Sequence, residues 1–137
     1  MNSTCIVAVD PGRAKCGVAV LSATGQVLHQ DIIPTEMVGE TVDMLMRQHG
    51  ARSIVIGRGT AADAVMDRLI EFRERSQIIT VTERNTTLLA RRRYWQDHAP
   101  GCLTLLLPAG MRIPPRAVDD YAAIIIGERY LHSNGEQ

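Results

Sequence analysis

The sequence predicts an α/β fold: a five-stranded mixed sheet, three antiparallel strands followed by two parallel ones, with helices on both faces. Three observations carry this. Apolar runs rich in β-formers come at hairpin spacing up to Ile33. The hydrophobic period then changes from two to about 3.6 residues. From there short apolar runs alternate with helical stripes, the pattern of right-handed βαβ crossovers.

The run at 4–10 is stopped by Pro11-Gly12, the next at 16–21 by Ala23-Thr24-Gly25, and the third at 26–33 by Pro34. Val38, Val42, Leu45, Met46 and His49 then form one helical stripe, with Glu40, Asp43 and Arg47 off it and Gly50 placed to stop it. Residues 52–56 form a short buried strand. Thr60 is suited to cap a helix whose stripe is Ala62, Val65, Met66, Leu69 and Phe72. A strand at 77–81 precedes a helix capped by Asn85 or Thr86, in which Leu88, Leu89 and Trp95 point inward. Phe72 and Trp95 are expected in the core. The Pro- and Gly-punctuated stretch 97–115 leads to a last helix, 117–130. It is long for a connection, which marks it as functional or as a packed cover.

At 137 residues and 15.1 kDa the chain reads as one domain, 1–137. With 45% apolar and 22% charged residues it is a folding sequence rather than a disordered one. Its longest uncharged apolar runs, 5–9, 103–108 and 121–127, are far too short to span a membrane, so no membrane partner is expected. Cys5, Cys16 and Cys102 include no C-x-x-C pair, which argues against zinc or a disulfide framework. A reducing cytoplasm fits them, and no secretory signal pattern is seen. Net charge is zero, so no whole-molecule attraction to nucleic acid is implied. Locally the balance differs: 82–116 holds two acids, Glu83 and Asp97, against six arginines. Of the 15 basic residues only Lys15 is lysine, and arginine is the side chain suited to bidentate phosphate contacts.

Taken singly, the candidate acids have ordinary explanations. Asp10 starts a turn in which Pro11 presets φ and Gly12 accepts the positive φ of a type II turn. Glu83 follows the last strand, and Asp119 and Asp120 open the final helix, where the macrodipole favours acids. Together they say more. Sites in open α/β sheets form where strand carboxyl ends and helix N-termini converge. Carboxylates gathered there repel one another unless cations intervene, and oxygen-only ligation suits Mg²⁺ or Mn²⁺. Two such ions activate a water and stabilise the leaving oxygen of a phosphodiester, which makes a hydrolytic nuclease centre. Arg84, Arg91, Arg92, Arg93, Arg112 and Arg116 can flank a negatively charged substrate near these acids. The loop Gly57-Arg58-Gly59-Thr60-Ala61-Ala62 matches a loose dinucleotide pattern, but three hairpin strands precede it. It reads instead as a strand-to-helix connection whose amides can touch a phosphate. Five aromatic residues in all argue against a base-stacking platform.

Three segments also carry a resemblance: Asp10-Pro11-Gly12-Arg13-Ala14-Lys15-Cys16-Gly17-Val18-Ala19-Val20, Thr82-Glu83-Arg84-Asn85-Thr86-Thr87, and Val118-Asp119-Asp120-Tyr121-Ala122-Ala123. They resemble, in order and spacing, the signature segments of the YqgF (RuvX) family. That family belongs with RuvC-type Holliday-junction resolvases in the ribonuclease H-like superfamily. The resemblance implies a ribonuclease H-like domain with Asp10, Glu83 and Asp119 as catalytic metal ligands and Asp120 as a reserve. It implies Mg²⁺ or Mn²⁺ as cofactor. The expected nucleic-acid contacts are Arg13, Lys15, Arg84, Arg91, Arg92, Arg112 and Arg116, basic residues placed near these acids. The substrate it implies is structured nucleic acid, either pre-16S ribosomal RNA at its 5′ end or a branched DNA junction. Pro11, Thr82 and the placement of Arg13 and Lys15 depart from the family pattern and mark a divergent branch. A junction has two symmetric cleavage points, so resolution calls for a homodimer, whereas a single centre suffices for one RNA strand and favours RNA slightly. Two other readings stand beside this one. One is a non-catalytic nucleic-acid-binding or dimerising module of the same fold. The other is an actin-like phosphotransferase, for which the chain lacks a second lobe.

Overall fold

The protein is described by a computed structural model over residues 5–82, 86–98, 114 and 116–135. Strand β1 (Ile6–Asp10) lies at the centre of a sheet ordered β3-β2-β1-β4-β5. β2 (Lys15–Leu21) and β3 (Val27–Pro34) complete an antiparallel meander with it, while β4 (Ser53–Gly57) and β5 (Ile78–Val81) add in parallel on its other side. The mixed five-stranded sheet expected from the sequence is therefore present, with helices on both faces. Helix α1 (Val38–His49) follows a 3-10 turn, Thr35–Met37, and α2 (Ala62–Leu69) links β4 to β5. Helices α3 (Thr86–Asp97) and α4 (Asp119–Gly135) follow β5.

Alternation along the strands divides the core in two. Val7 and Val9 of β1, with Cys16, Val18 and Val20 of β2, pack under Val42, Leu45 and Met46 of α1 and Val65 and Leu69 of α2. Ile6, Ala8, Ala19 and Leu21 point the other way, against Ala90 and Tyr94 of α3 and the apolar run from Tyr121 to Ile126 of α4. Both faces of β1 are covered, which is why it reads as an unbroken apolar run. Small residues let α4 lie close to the sheet. A Cβ on Gly127 would come within 2.9 Å of the Leu21 side chain and 3.2 Å of the Ala8 Cβ.

Four local expectations are corrected. Thr60 does not cap α2, whose N-cap is Ala61 without a side-chain hydrogen bond. Phe72 lies beyond the end of α2 and is 45% exposed, its ring lying alongside Gly39 rather than in the core. Leu88 is exposed on α3, while its neighbour Leu89 and Trp95 pack partly against the core. Gly12 is not among the positive-φ glycines, Gly25 and Gly50. Its lack of a side chain is needed for a different reason: a Cβ there would stand 2.1 Å from the Lys15 carbonyl oxygen, which turns back over it. Gly50, by contrast, ends α1 in the left-handed conformation, as its place after the stripe implies.

Candidate functional site

Asp10 is the last residue of β1, and strand parity puts its side chain on the α4 face with Ile6 and Ala8. Its partner across the β1–β2 ladder is Gly17, which shares that face with Ala19 and Leu21. A Cβ on Gly17 would stand 1.8 Å from the Asp119 carbonyl oxygen and 2.8 Å from the Asp120 nitrogen. The first turn of α4 therefore sits directly on the glycine backbone, one ladder position from Asp10, where facing Cα atoms are about 5 Å apart. A glycine inside a strand marks this sort of close approach. Lys15, two residues before Gly17, leaves β2 on the same face.

The parallel strands end level with this point. Val9 lies beside Ile56, and Ile56 beside Thr80, so Asp10, Gly57 and Val81 form the next row. The Arg58 N–H donates to the Val81 carbonyl at 3.1 Å and extends that row. Asp10 and the start of α4 thus meet at the carboxyl ends of the sheet, the location at which open α/β sheets build sites. Glu83, Arg84 and Arg112 lie outside the described residues, as does 99–113.

The two acids at the start of α4 have different surroundings. The Asp120 side chain is buried, and its carboxylate accepts from Gln30 Nε2 at 2.8 Å and from Arg116 at 3.1 and 3.3 Å. Arg116 in turn lies 5.4 Å from the ring centres of both Tyr94 and Tyr121, and the Tyr121 hydroxyl donates to Asp97 at 2.8 Å. The Asp120 hydrogen bond holds the guanidinium above its ordinary pKa. This assembly ties β3, α3 and α4 together and fixes the helix end that carries Asp119. Asp119 is about 100° further round the helix and half-buried. Burial pushes its carboxyl above the ordinary pKa; Lys15 opposes the rise, and the Asp120 charge adds to it.

A raised folded-state pKa means that ionising Asp119 costs stability. The cost is absent below the unfolded carboxyl value of about 3.9 and grows as pH rises through the folded value. Asp119→Asn should therefore melt above the wild type near pH 7 in chelator, with the gap closing as the solution is acidified to about pH 3.5. Added Mg²⁺ should narrow the gap from the wild-type side. A gap of equal size at acid and neutral pH would show that charge is not its cause.

Of the remaining sequence candidates, Arg13, Lys15 and Arg92 are exposed and Arg91 is half-buried. Arg93 is committed to Glu128, at 2.9 and 3.0 Å. Among the described residues no three His, Cys, Asp or Glu side chains form a metal-holding group. Two carboxylates, Asp10 and Asp119, with neighbouring phosphate oxygens would still match the way Mg²⁺ is commonly held. Gln30, Tyr94 and Tyr121, which hold the site's frame, carried no sequence signal, because their partners are distant in the chain.

No family model matches the sequence, and no curated protein has significant sequence similarity to it. Solved structures do match. T. thermophilus RuvC in complex with a Holliday junction substrate aligns with a TM-score of 0.61 at 10% identity, over 96% of each chain. A second structure of Thermus thermophilus RuvC aligns at 0.58 and 9% identity, again over 96% of each chain. The chain therefore shares the fold of these RuvC structures.

Proposed function

We propose that this protein is a divalent-metal-dependent nuclease acting on structured nucleic acid. The observation that carries the reading is the first turn of α4 seated on Gly17, the ladder partner of Asp10, at the carboxyl ends of the strands. Asp10, Asp119 and, by the motif around it, Glu83 would hold Mg²⁺ or Mn²⁺. When bound, the ion supplies Lewis acidity toward phosphorus and an acidified water. Asp120 serves α4 through Arg116 and Gln30 and stands outside the ligand set. Lys15, whose charge already acts on Asp119, offsets the charge of an incoming phosphate. Arg13, Arg91 and Arg92 contact the backbone, with Arg84 and Arg112 assigned from the arginine-rich stretch 82–116. Such contacts read phosphate geometry more than base sequence.

Two substrate classes follow, branched DNA and structured RNA such as the 5′ end of pre-16S ribosomal RNA. The bound junction in the matching RuvC structure supports the first. Cys5 and Cys16 are buried thiols, consistent with a reducing cytoplasm. Among the described residues no helix is long and apolar enough to cross a membrane.

The test is cleavage of a four-way junction, a linear duplex and a structured RNA in parallel, with Mg²⁺, with Mn²⁺ and with chelator. Metal-dependent cuts in one of them are expected. Symmetric nicking of the junction by a stable dimer, with RNA intact, would assign resolution. Tight binding without cleavage in either metal would replace the nuclease with a binding module of the same fold.

A further inference from the structure

The turn between β1 and β2 carries Arg13 and Lys15, and a residue outside it, Thr35, sets its shape. Thr35 follows β3 and opens the 3-10 turn Thr35–Met37, yet its side chain is buried. A hydroxyl at the start of a helical turn commonly bonds the backbone of its own helix. Here the Thr35 hydroxyl instead reaches 23 residues back along the chain and donates to the Gly12 carbonyl at 2.8 Å. The Thr35 backbone N–H donates to the Ala14 carbonyl at 2.9 Å. The buried Cys16 thiol lies 3.4 Å from the same hydroxyl and 3.9 Å from the same Gly12 carbonyl. The carbonyls on both sides of Arg13 are therefore tied to one buried residue, while the Arg13 and Lys15 side chains stay exposed. Valine would fill the same space as threonine, so what the hydroxyl adds is the tether. A cation presented on backbone that is already fixed loses less freedom on binding than one on a loose loop.

We propose that Thr35 is a positioning residue of the site: through the Gly12 and Ala14 carbonyls it holds the turn that presents Arg13 to a substrate phosphate, three residues beyond Asp10. The tether rests on the geometry of the turn alone, while the phosphate at Arg13 rests on the nuclease reading.

Two measurements read the two halves separately. Trypsin cuts after Arg13 or Lys15 when the turn opens, so limited digestion followed by intact-mass analysis reports the tether directly. Thr35→Val keeps the shape and removes the donor, and it should raise the rate of that cut about tenfold while cuts elsewhere keep their rates. Thr35→Ser should be cut like the wild type. Melting curves check folding, and if Thr35→Val is unfolded, Thr35→Ala takes its place, since it leaves room for a water at Gly12. Fluorescence anisotropy in chelator, with a labelled four-way junction and a labelled RNA hairpin, then reads what the tether is for. Thr35→Val should weaken binding about three- to tenfold in the wild-type background and less than about twofold in Arg13→Ala, because residues that act through one another do not add. Equal trypsin rates in Thr35→Val and the wild type would overturn the tether. A loss of binding that is undiminished in Arg13→Ala would overturn its role in presenting Arg13. A protein that binds and cuts neither nucleic acid, while trypsin still separates Thr35→Val from Thr35→Ser, would keep the tether and remove the nuclease reading instead.

Discussion

Asp10→Asn should leave the protein folded and lower metal-dependent cleavage by about a thousandfold or more. The substitution keeps size and hydrogen-bonding capacity but removes the charge that, in the proposed centre, would hold a dication. Several kcal/mol of charge stabilisation at phosphorus would depend on that ion, and each 1.36 kcal/mol is about tenfold in rate. Position adds to the argument. Asp10 ends a strand buried on both faces and faces Gly17 across the ladder, so its Cα is set by the core rather than by a loop. An asparagine there stands in the same place with the wrong chemistry. Single-turnover cleavage at saturating protein reads the chemical step, and thermal melting with and without Mn²⁺ reads the ion. The wild type should melt higher with Mn²⁺ by linkage, and Asp10→Asn should lose most of that shift. Cleavage by Asp10→Asn within a factor of ten of the wild type would remove Asp10 from the centre.

Much of this framework was legible in the chain. The meander and the change of period are local patterns, and the strands and helices of the described residues begin within a few residues of their expected places. The burial of Val38, Val42, Leu45 and Met46 follows from one helical stripe. Errors arose where a stripe was carried past the end of its helix. Phe72 continues the spacing of Val65 and Leu69, but α2 has ended at Leu69 and the ring turns outward. The candidate acids were legible as residue types at element ends, yet the distinction between Asp119 and Asp120 was not. That distinction depends on Gln30, 90 residues away, and on Arg116 held by two aromatic rings. No periodicity encodes such partners. Arg116 likewise reads as a phosphate contact by composition, whereas the structure engages it with Asp120.

Gly17 supplies the strictest test of how the site is assembled, because the residue carries no functional group. Gly17→Ala adds one methyl group 1.8 Å from a backbone oxygen, where ordinary contact begins near 3.4 Å, so the first turn of α4 must retreat by about 1.6 Å. Backbone cannot swing aside as a flexible side chain can, and Gln30 and Arg116 hold the same turn against the sheet through Asp120. The expected cost is about 3 kcal/mol, the upper end for overpacking, which corresponds to a fall in melting temperature of roughly 10 °C. Activity should fall further than stability explains. A misplacement of more than about 1 Å between groups sharing a reaction centre costs on the order of a hundredfold, and here Asp119 moves away from Asp10. Gly59→Ala is the matched control, since a Cβ there meets nothing within 4 Å and its φ is not positive. It should melt with the wild type and cleave at the wild-type rate. Assays well below the melting point of Gly17→Ala, where the variant is fully folded, separate misplacement from unfolding. If Gly17→Ala melts and cleaves like Gly59→Ala, α4 does not rest on that glycine, and the placement of Asp119 beside Asp10 falls with it.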